Sequence, residues 1–205
     1  MICLLGGTFD PIHYGHLRPA REAMETLGCA ALHVIPSAQP LHRSAPVASA
    51  VQRLRMVELA VAEFPGFRAD DRELRRGGPS YTVLTLASLR AQYGPQPLCL
   101  LLGMDAFLGF ESWHRWQDIL DLAHLVVLTR PGWTMQGMAA WIQERRGDQE
   151  MLSRSAAGHV LFVSVDPQDI SATHLRTAFA QGGTTVRGLL PEAVREFICQ
   201  NKIYM

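Results

Sequence analysis

The stretch GGTFDPIHYGHL, residues 6–17, places two histidines where an apolar run gives way to a predicted helix. Its Gly-Gly pair permits a sharp turn and a close approach of the backbone to a ligand, and Pro11 stiffens the loop. His13 and His16 are three positions apart, so both rings lie on one face of the first helical turn and can donate N–H groups to one phosphate. A helix N-terminus is partially positive, so cationic side chains there are unfavourable unless an anion is bound. The stretch therefore predicts a site in which cationic side chains bind a phosphate group.

Two other interpretations of His13 and His16 stay open at this point. The pair could be surface residues at an ordinary helix start, although two histidines at helical spacing after Gly-Gly and Pro favour a functional site. A zinc pair is the other option, but the sequence offers no convincing third ligand.

The segment ISATHLR, residues 170–176, repeats the pattern at a second predicted helix start. Ser171 or Thr173 can cap this helix, and His174 and Arg176 place donor or cationic groups in its first turns. Taken alone, the segment is equally typical of an ordinary amphipathic helix with an apolar core face. Two such helix starts in one chain suit a polyphosphate.

Composition limits the classes of protein to which the chain can belong. Its 205 residues include 48% hydrophobic and 19% charged side chains, which is typical of a globular domain. A formal net charge of +0 argues against a general nucleic-acid binder, since such proteins need an excess of Lys and Arg. No apolar run has the length of a membrane span. The absence of GxGxxG and GK[ST] motifs removes the main support for a dehydrogenase or a Walker NTPase.

The N-terminus and the cysteines predict a cytoplasmic protein. The first residues, MICLLGGTFD, lack the basic segment and cleavage site of a signal peptide and are typical of a first strand. Cys3, Cys29, Cys99 and Cys199 are scattered without a CxxC pair, which favours free buried thiols over disulfides or a metal site.

Short apolar runs without alternation are separated by longer helix-like segments, as in a parallel sheet with crossover helices. The runs are ICLLG, ALHVIP, LCLLLG, HLVVLTR and HVLFVSV. Helices are predicted at residues 16–27, 47–64, 81–93, 117–122, 135–146, 172–181 and 191–201. No linker or repeat interrupts the chain. We expect one Rossmann-like α/β domain over residues 1–205, with a mostly parallel sheet, helices on both faces, and ligands beyond the carboxyl ends of the strands.

These segments resemble the signatures of the nucleotidylyltransferase superfamily. The HxGH motif of that superfamily is matched by HYGH at residues 13–16, and its ISSTxxR motif is similar to ISATHLR. Further segments narrow the resemblance to bacterial-type nicotinate-nucleotide adenylyltransferases, namely GGPSYTVLTL, LLGMDAFLGFESWHRW, VVLTRPG and LLPEAVREFICQNKIY. The resemblance extends from Ile2 to Tyr204.

The resemblance implies that the phosphate of nicotinate mononucleotide attacks the α-phosphorus of ATP, giving nicotinate adenine dinucleotide and pyrophosphate. The second pKa of a phosphate monoester is about 6, so the nucleophile is already ionised at neutral pH and needs no general base. Positioned donors and Mg²⁺ would stabilise the transferring group. The sequence shows no carboxylate cluster to hold the metal, so we expect Mg²⁺ to bind through the ATP phosphates.

The resemblance also implies roles for individual residues. The catalytic residues that it implies are His13, His16 and Arg176, and the residues that bind ATP and its phosphates are Gly7, Thr8, Phe9, Asp105, Ser171 and Thr173. The site for nicotinate mononucleotide is implied at His42, Arg43, Thr82, Trp113 and Arg130. From the residues alone, Asp105 could equally cap the next helix, Trp113 could belong to a core stripe, and Arg130 could be a solvated surface residue.

The chain departs from the family pattern at a few positions. PLHR replaces the usual PPHK, so Leu41 stands at a proline, and Arg43 offers a planar fork in place of the point charge of lysine. Leu84 replaces an acid, which removes an expected polar support beneath the acceptor pocket. Ala172 replaces a serine, which is a mild change.

Two other functions stay open at the level of sequence. A sister nucleotidylyltransferase would act on nicotinamide mononucleotide or on phosphopantetheine, and the segments GGPSYT and SWHRW argue against the second. A non-catalytic nucleotide sensor would keep the fold, but it would not need to retain His13, His16 and Arg176. We expect small-molecule partners only, with no nucleic acid and no membrane, and the oligomeric state does not follow from the sequence.

Overall fold

The computed structural model describes residues 1–40, 45–134, 138–182 and 184–205. The strands in this part of the chain are β1 (Ile2–Gly7), β2 (Ala31–Pro36), β3 (Phe67–Ala69), β4 (Leu98–Gly103), β5 (His124–Thr129) and β6 (Val160–Ser164). The helices are α1 (Tyr14–Leu27), α2 (Ala50–Val61), α3 (Arg72–Arg76), α4 (Thr82–Tyr93), α5 (Met104–Leu108), α6 (Trp116–Leu122), α7 (Ala140–Glu144), α8 (Gln149–Arg154), α9 (Ala172–Ala180) and α10 (Glu192–Gln200). Short 3₁₀ helices span Phe110–Ser112 and Thr184–Val186.

The strands form one six-stranded sheet in the order β3-β2-β1-β4-β5-β6. The pairs β1–β4, β4–β5 and β5–β6 are parallel, with Cys3 opposite Cys99 and Leu100 opposite Leu125 in their registers. This is the doubly wound strand order of the Rossmann fold, in which ligands bind beyond the carboxyl end of the strands where the order reverses. The predicted α/β class is confirmed. The order reverses beside β1, whose carboxyl end leads directly into the first motif.

Most predicted elements lie where the sequence pattern placed them, and the differences have local causes. The helix predicted from residue 47 begins at Ala50, because Ser49 and Gln52 form a capping box there. Helix α1 begins at Tyr14, two residues before the predicted start. The pattern missed β3, α3, α5 and α8, which have three to six residues and are too short to show a period. Of the helix predicted at residues 135–146, the structure has α7, and residues 135–137 lie outside the described residues.

Backbone contacts divide the chain into two compact units. Unit 1 comprises Met1–Leu5, Glu22–Leu32 and Tyr81–Pro167, and unit 2 comprises Gly6–Arg21, His33–Ser80 and Gln168–Met205. Both sequence motifs therefore lie in unit 2. That the chain works as a single domain stays a prediction.

Unit 1 contains three buried thiols. Cys3, Cys29 and Cys99 are free, and Cys3 Sγ lies 2.7 Å from Cys29 Sγ. The hydrogen bond with Cys29, together with burial, raises the pKa of Cys3, so this thiol stays protonated. The prediction of free buried thiols is confirmed for these three residues, whereas Cys199 is only half-buried. Across the described ranges, no helix is both long enough and apolar enough to cross a membrane.

Candidate active site

The loop after β1 leaves the sheet through a strained turn. Phe9 has φ 49°, in the left-handed region that side chains rarely adopt, and the residue is only 3% exposed. Gly7 is required beside it, because a Cβ atom at this position would lie 2.8 Å from Cε1 of Phe9. The carbonyl of Gly7 accepts a 2.9 Å hydrogen bond from the N–H of Ser37. Side-chain packing therefore fixes the path of the backbone from Gly7 to Phe9.

Asp10 ties this loop to the residues that precede α2. Its Oδ2 accepts a hydrogen bond from the N–H of Val47 at 2.9 Å, and its Oδ1 accepts one from the N–H of Ala48 at 3.0 Å. Tyr204 donates its hydroxyl to the same Oδ1 at 2.7 Å. Asp10 is 7% exposed, and these three donors offset the cost of removing its carboxylate from water.

Arg53 supports the loop from α2. Its guanidinium, on a residue 1% exposed, donates to the carbonyl of Thr8 at 2.7 Å, to that of Ala48 at 3.2 Å and to that of Ala38 at 3.4 Å. Burial lowers the pKa of Arg53, and the negative charge of Asp10 opposes that shift. This buried cation therefore holds backbone carbonyls in place.

His13 and His16 stack on each other where α1 begins, with ring centroids 3.7 Å apart and planes inclined by 28°. The carbonyl of His13 accepts the N–H of His16 at 2.9 Å and that of Leu17 at 3.2 Å, which starts the helix. Nδ1 of His16 accepts a 3.3 Å hydrogen bond from the N–H of His13, and this assigns the ring proton of neutral His16 to Nε2. Phe9 meets the His16 ring edge-on at 5.2 Å. The structure thus brings together the two histidines that the sequence predicted to share one face.

Burial of His13 favours its neutral form at neutral pH, whereas the sequence predicted a cation that binds phosphate at this position. The residue is 4% exposed, and burial lowers the pKa of His13 from 6.5 to about 4. Its Nδ1 is buried and has no hydrogen-bond partner among the described residues. A neutral ring avoids placing a charge at the positive end of α1, and a nearby phosphate would raise its pKa again.

Gly15 is required between the two histidines by space. A Cβ atom at this position would lie 2.8 Å from Nδ1 of His13 and 3.0 Å from the carbonyl oxygen of Ile170. The second distance shows that the start of α1 packs directly against the residue that opens ISATHLR. The glycine of the HYGH motif therefore makes room for a histidine ring and for the second motif.

The second motif starts α9 with a side-chain cap. Ser171 Oγ accepts a 3.2 Å hydrogen bond from the N–H of His174, so Ser171 is the cap of the two predicted candidates. Thr173 Oγ1 instead accepts a 3.2 Å hydrogen bond from Nη2 of Arg176. Nη1 of Arg176 donates to the carbonyl of Asp10 at 2.8 Å. Arg176 therefore joins the second motif to the loop of the first.

Sequence reasoning missed three residues that build this site. Asp10 lies within GGTFDP and Tyr204 lies within the NKIY ending, so both stood in segments that carried the family resemblance. Their chemical partners were invisible because Asp10 and Tyr204 are 194 positions apart. No local signal marks Arg53, which occurs in an ordinary amphipathic helix.

The other described candidate residues lie in unit 1. Thr82 is the first residue of α4. Asp105 is exposed in the first turn of α5, where Gly103 occupies the cap position, so the alternative that Asp105 caps this helix is wrong. Trp113 is half-buried after the first 3₁₀ helix, and Arg130 is exposed directly after β5.

Trp113 lies among other aromatic rings of unit 1. Trp113 and Trp116 both pack against buried Phe110, with centroid distances of 5.5 Å and 5.8 Å, so the core-stripe alternative describes part of their packing. Tyr81 and His114, which the sequence analysis did not single out, pair at 4.2 Å. They are the sequence neighbours of Thr82 and Trp113.

Two further expectations concern residues near these positions. Leu84, which stands where the family pattern has an acid, is 39% exposed on α4, and the loss of a polar support there stays a prediction. His42 and Arg43 lie outside the described residues, as does Leu41. Within the described ranges, no group of three or more His, Cys, Asp or Glu side chains is arranged to hold a metal ion.

Comparison with known proteins identifies the family. The cytidylyltransferase-like family model matches residues 4–178. A relative from Aeromonas hydrophila, named a probable nicotinate-nucleotide adenylyltransferase, is 49% identical over 99% of this chain and 96% of its own length. The chain belongs to the nicotinate-nucleotide adenylyltransferase family. A second member of this family, from Methylococcus capsulatus, is 44% identical over 100% of this chain and 99% of its own length.

A solved structure supports the fold. The nicotinic acid mononucleotide adenylyltransferase of Plasmodium falciparum, complexed with NaAD, superposes with a TM-score of 0.75. The match covers 99% of this chain and 96% of that protein at 14% sequence identity. At that identity the likeness establishes the Rossmann-like fold alone.

The contacts of Gly15 lead to a prediction for Gly15→Ala. The added methyl group must displace the His13 ring or the Ile170 carbonyl, and we expect turnover to fall about 100-fold, the cost of misplacing one transition-state donor. A steady-state assay of pyrophosphate release measures this. Gly109→Ala is the matched control, since the nearest atom to its new Cβ is the Ala106 carbonyl oxygen at 3.8 Å. Similar turnover in the two variants would contradict the steric role of Gly15.

The burial of His13 leads to a prediction for stability against pH. The folded pKa of about 4 lies below the ordinary value of 6.5, so only the unfolded chain binds a proton between these values. The contribution of His13 is therefore complete above pH 6.5 and is lost as the pH falls towards 4, by up to about 3 kcal/mol. Denaturant unfolding at several pH values gives the free energy of unfolding as a function of pH. Between pH 4 and 6.5, this free energy should change less steeply with pH for His13→Gln than for the wild type. A wild-type pH dependence of stability in His13→Gln would count against a buried neutral His13.

Proposed function

We propose that this protein transfers the adenylyl group of ATP to nicotinate mononucleotide, releasing pyrophosphate and forming nicotinate adenine dinucleotide in NAD biosynthesis. The observation that carries the proposal is the hydrogen bond from Arg176 to the Asp10 carbonyl, because it joins the two helix starts within unit 2. A polyphosphate needs several donors from different elements at one place, and this contact joins α9 to the loop that leads into α1. Family membership gives the reaction class.

The residues of unit 2 act on the phosphates of ATP. Nε2–H of His16 and the guanidinium of Arg176 donate to the transferring group, whose charge is spread over its oxygens in the transition state. His13 begins as a neutral donor, and the approach of the phosphates favours its protonated form. Ser171 and Thr173 hold the start of α9 and the Arg176 side chain, respectively.

The strained turn provides the backbone part of the ATP site. Gly7 and Thr8 present their backbone to the nucleotide, and Phe9 supplies a buried ring whose position is fixed by its left-handed conformation. Groups held this rigidly lose little further conformational freedom when the nucleotide binds. Less of the binding free energy is then spent on ordering the site, and more is available to stabilise the transition state.

The nucleophile requires no general base from the protein. The phosphate of nicotinate mononucleotide is largely ionised at neutral pH, so the task is to bring two anions together and to stabilise the leaving pyrophosphate. Mg²⁺ fits this site as a partner of the ATP phosphates, since Mg²⁺ keeps several waters and commonly binds through phosphate oxygens. When bound, it would neutralise charge on the phosphates and on the departing pyrophosphate.

The residues of unit 1 are proposed to serve the nucleosides. The exposed carboxylate of Asp105 is assigned to the ribose of ATP, and Trp113 is assigned to stacking on the pyridine ring. Thr82 is assigned to the nicotinate carboxylate through the N–H groups at the start of α4, and exposed Arg130 to the acceptor phosphate. His42 and Arg43 stay predictions of the same site. We further propose that residues 1–205 form one catalytic domain and that the protein is cytoplasmic.

A sister activity and a nucleotide sensor are tested by the same experiment. Pyrophosphate release from Mg²⁺-ATP is measured with nicotinate mononucleotide, nicotinamide mononucleotide and phosphopantetheine supplied in parallel. We expect release chiefly with nicotinate mononucleotide. Release chiefly with another acceptor would replace the proposed reaction by a sister activity, and nucleotide binding without release would favour the sensor.

The transition-state role of His16 gives a separate prediction. His16→Ala should lower turnover about 100-fold, because a donor aimed at developing charge is lost, while the affinity for ATP changes far less. Steady-state kinetics give the turnover, and calorimetric titration gives the affinity. His159→Ala removes an imidazole from unit 1 without touching either motif and should keep wild-type turnover. Equal losses of turnover and affinity in His16→Ala would mean that His16 binds the ground state as strongly as the transition state.

A further inference from the structure

The last residues of the chain contact the loop after β1 through one buried hydroxyl. Tyr204 is 8% exposed, and its hydroxyl donates to Oδ1 of Asp10 at 2.7 Å. Its aromatic ring lies 6.1 Å from that of Phe179 on α9, so the ring packs independently of the hydroxyl. Burial, followed by the hydrogen bond and charge of Asp10, raises the pKa of Tyr204, which keeps the phenol protonated as a donor.

The backbone around Tyr204 is held in an unfavourable conformation. Lys202 has φ 51° and Tyr204 has φ 68°, so two of three successive residues lie in the left-handed region without being glycine. Such residues persist only where surrounding contacts hold them, and they cluster at sites where position matters. The Tyr204 hydroxyl is aimed at Asp10 by this segment.

Asp10 transmits that contact to the phosphate-binding residues. Its side chain is fixed by Tyr204 and by the N–H groups of Val47 and Ala48, and its own carbonyl accepts Nη1 of Arg176 at 2.8 Å. Side chain and carbonyl belong to one residue, so a rotation of the Asp10 backbone moves the acceptor of Arg176. Arg176 and Tyr204 also line one open cavity of unit 2, together with Val47, which donates to Asp10.

We propose that Tyr204 is a positioning residue for adenylyl transfer, whose hydroxyl fixes Asp10 so that the Asp10 carbonyl holds the Arg176 guanidinium against the phosphates. This inference rests on the proposed function for its chemistry. The residue itself does not touch the reacting atoms.

The test uses Tyr204→Phe, which removes the hydroxyl and keeps the ring. Turnover should fall about tenfold, the effect of losing one hydrogen bond to a charged group, while the KM for nicotinate mononucleotide stays within about twofold. Tyr93→Phe, which removes a hydroxyl at the end of α4 in unit 1, is the matched control and should keep wild-type turnover. Assays are run well below the melting temperature of every variant, so that folding does not enter the comparison.

A double-mutant cycle separates positioning from general stability. In an Arg176→Lys background, Tyr204→Phe should cause little further loss of turnover, because the side chain that it positions has already been replaced. Independent, multiplying losses, or unchanged turnover in Tyr204→Phe alone, would overturn the proposal. Asp10→Asn, which places an amide among three donors, should reproduce the same pattern with a larger loss.

An activity-independent measurement distinguishes this inference from the proposed reaction. The ¹⁵Nε–¹Hε NMR signal of Arg176 should shift and broaden in Tyr204→Phe, and it should be unchanged in Tyr93→Phe. An Arg176 signal that is insensitive to Tyr204→Phe would overturn the positioning role even if the wild type is fully active. A wild type that releases no pyrophosphate would overturn the proposed reaction, whereas this signal would still report the contact.

Discussion

The carboxylate of Asp10 is the interaction on which the described part of unit 2 depends. One buried residue accepts hydrogen bonds at its side chain from two backbone N–H groups and from Tyr204, and at its carbonyl from Arg176. Asp10 therefore joins four segments of unit 2, which are the first motif, the residues that precede α2, helix α9 and the last residues of the chain. A buried carboxylate is costly without partners, so the arrangement is stable only when all these elements are in place together.

Charge in this site is distributed differently from what residue types alone suggest. Burial keeps His13 neutral, and Arg53 uses its charge on backbone carbonyls. Arg18, which follows the histidines in the sequence, lies over the Tyr14 ring at 4.3 Å and donates to Gln168 at 3.1 Å. The described residues therefore avoid concentrating positive charge at this helix start, and a bound anion would favour the protonated form of His13.

The sequence predicted the parallel sheet and both motifs, because these depend on local patterns. Short unbroken apolar runs such as LCLLLG are typical of strands covered on both faces, and the spacing of the histidines in HYGH favours a phosphate-binding site. The buried state of His13 and the partners of Asp10 did not follow from the sequence, since each depends on residues far away along the chain. Elements of three to six residues, such as β3 and α3, were missed because packing rather than periodicity forms them. The sequence alone does not decide whether Ser171 or Thr173 caps α9. Thr173 Oγ1 accepts a hydrogen bond from Arg176 instead, and Ser171 Oγ accepts the one that caps the helix.

The direct packing of Gly15 against Ile170 has a consequence for local motion. The first turn of α1 and the residues that open α9 share an interface with no room for even one methyl group. Neither segment can fray without exposing the ring of His13 and releasing the other. The two helix starts should therefore open as one cooperative unit, so that thermal fluctuations either leave the whole proposed phosphate site intact or disrupt all of it at once.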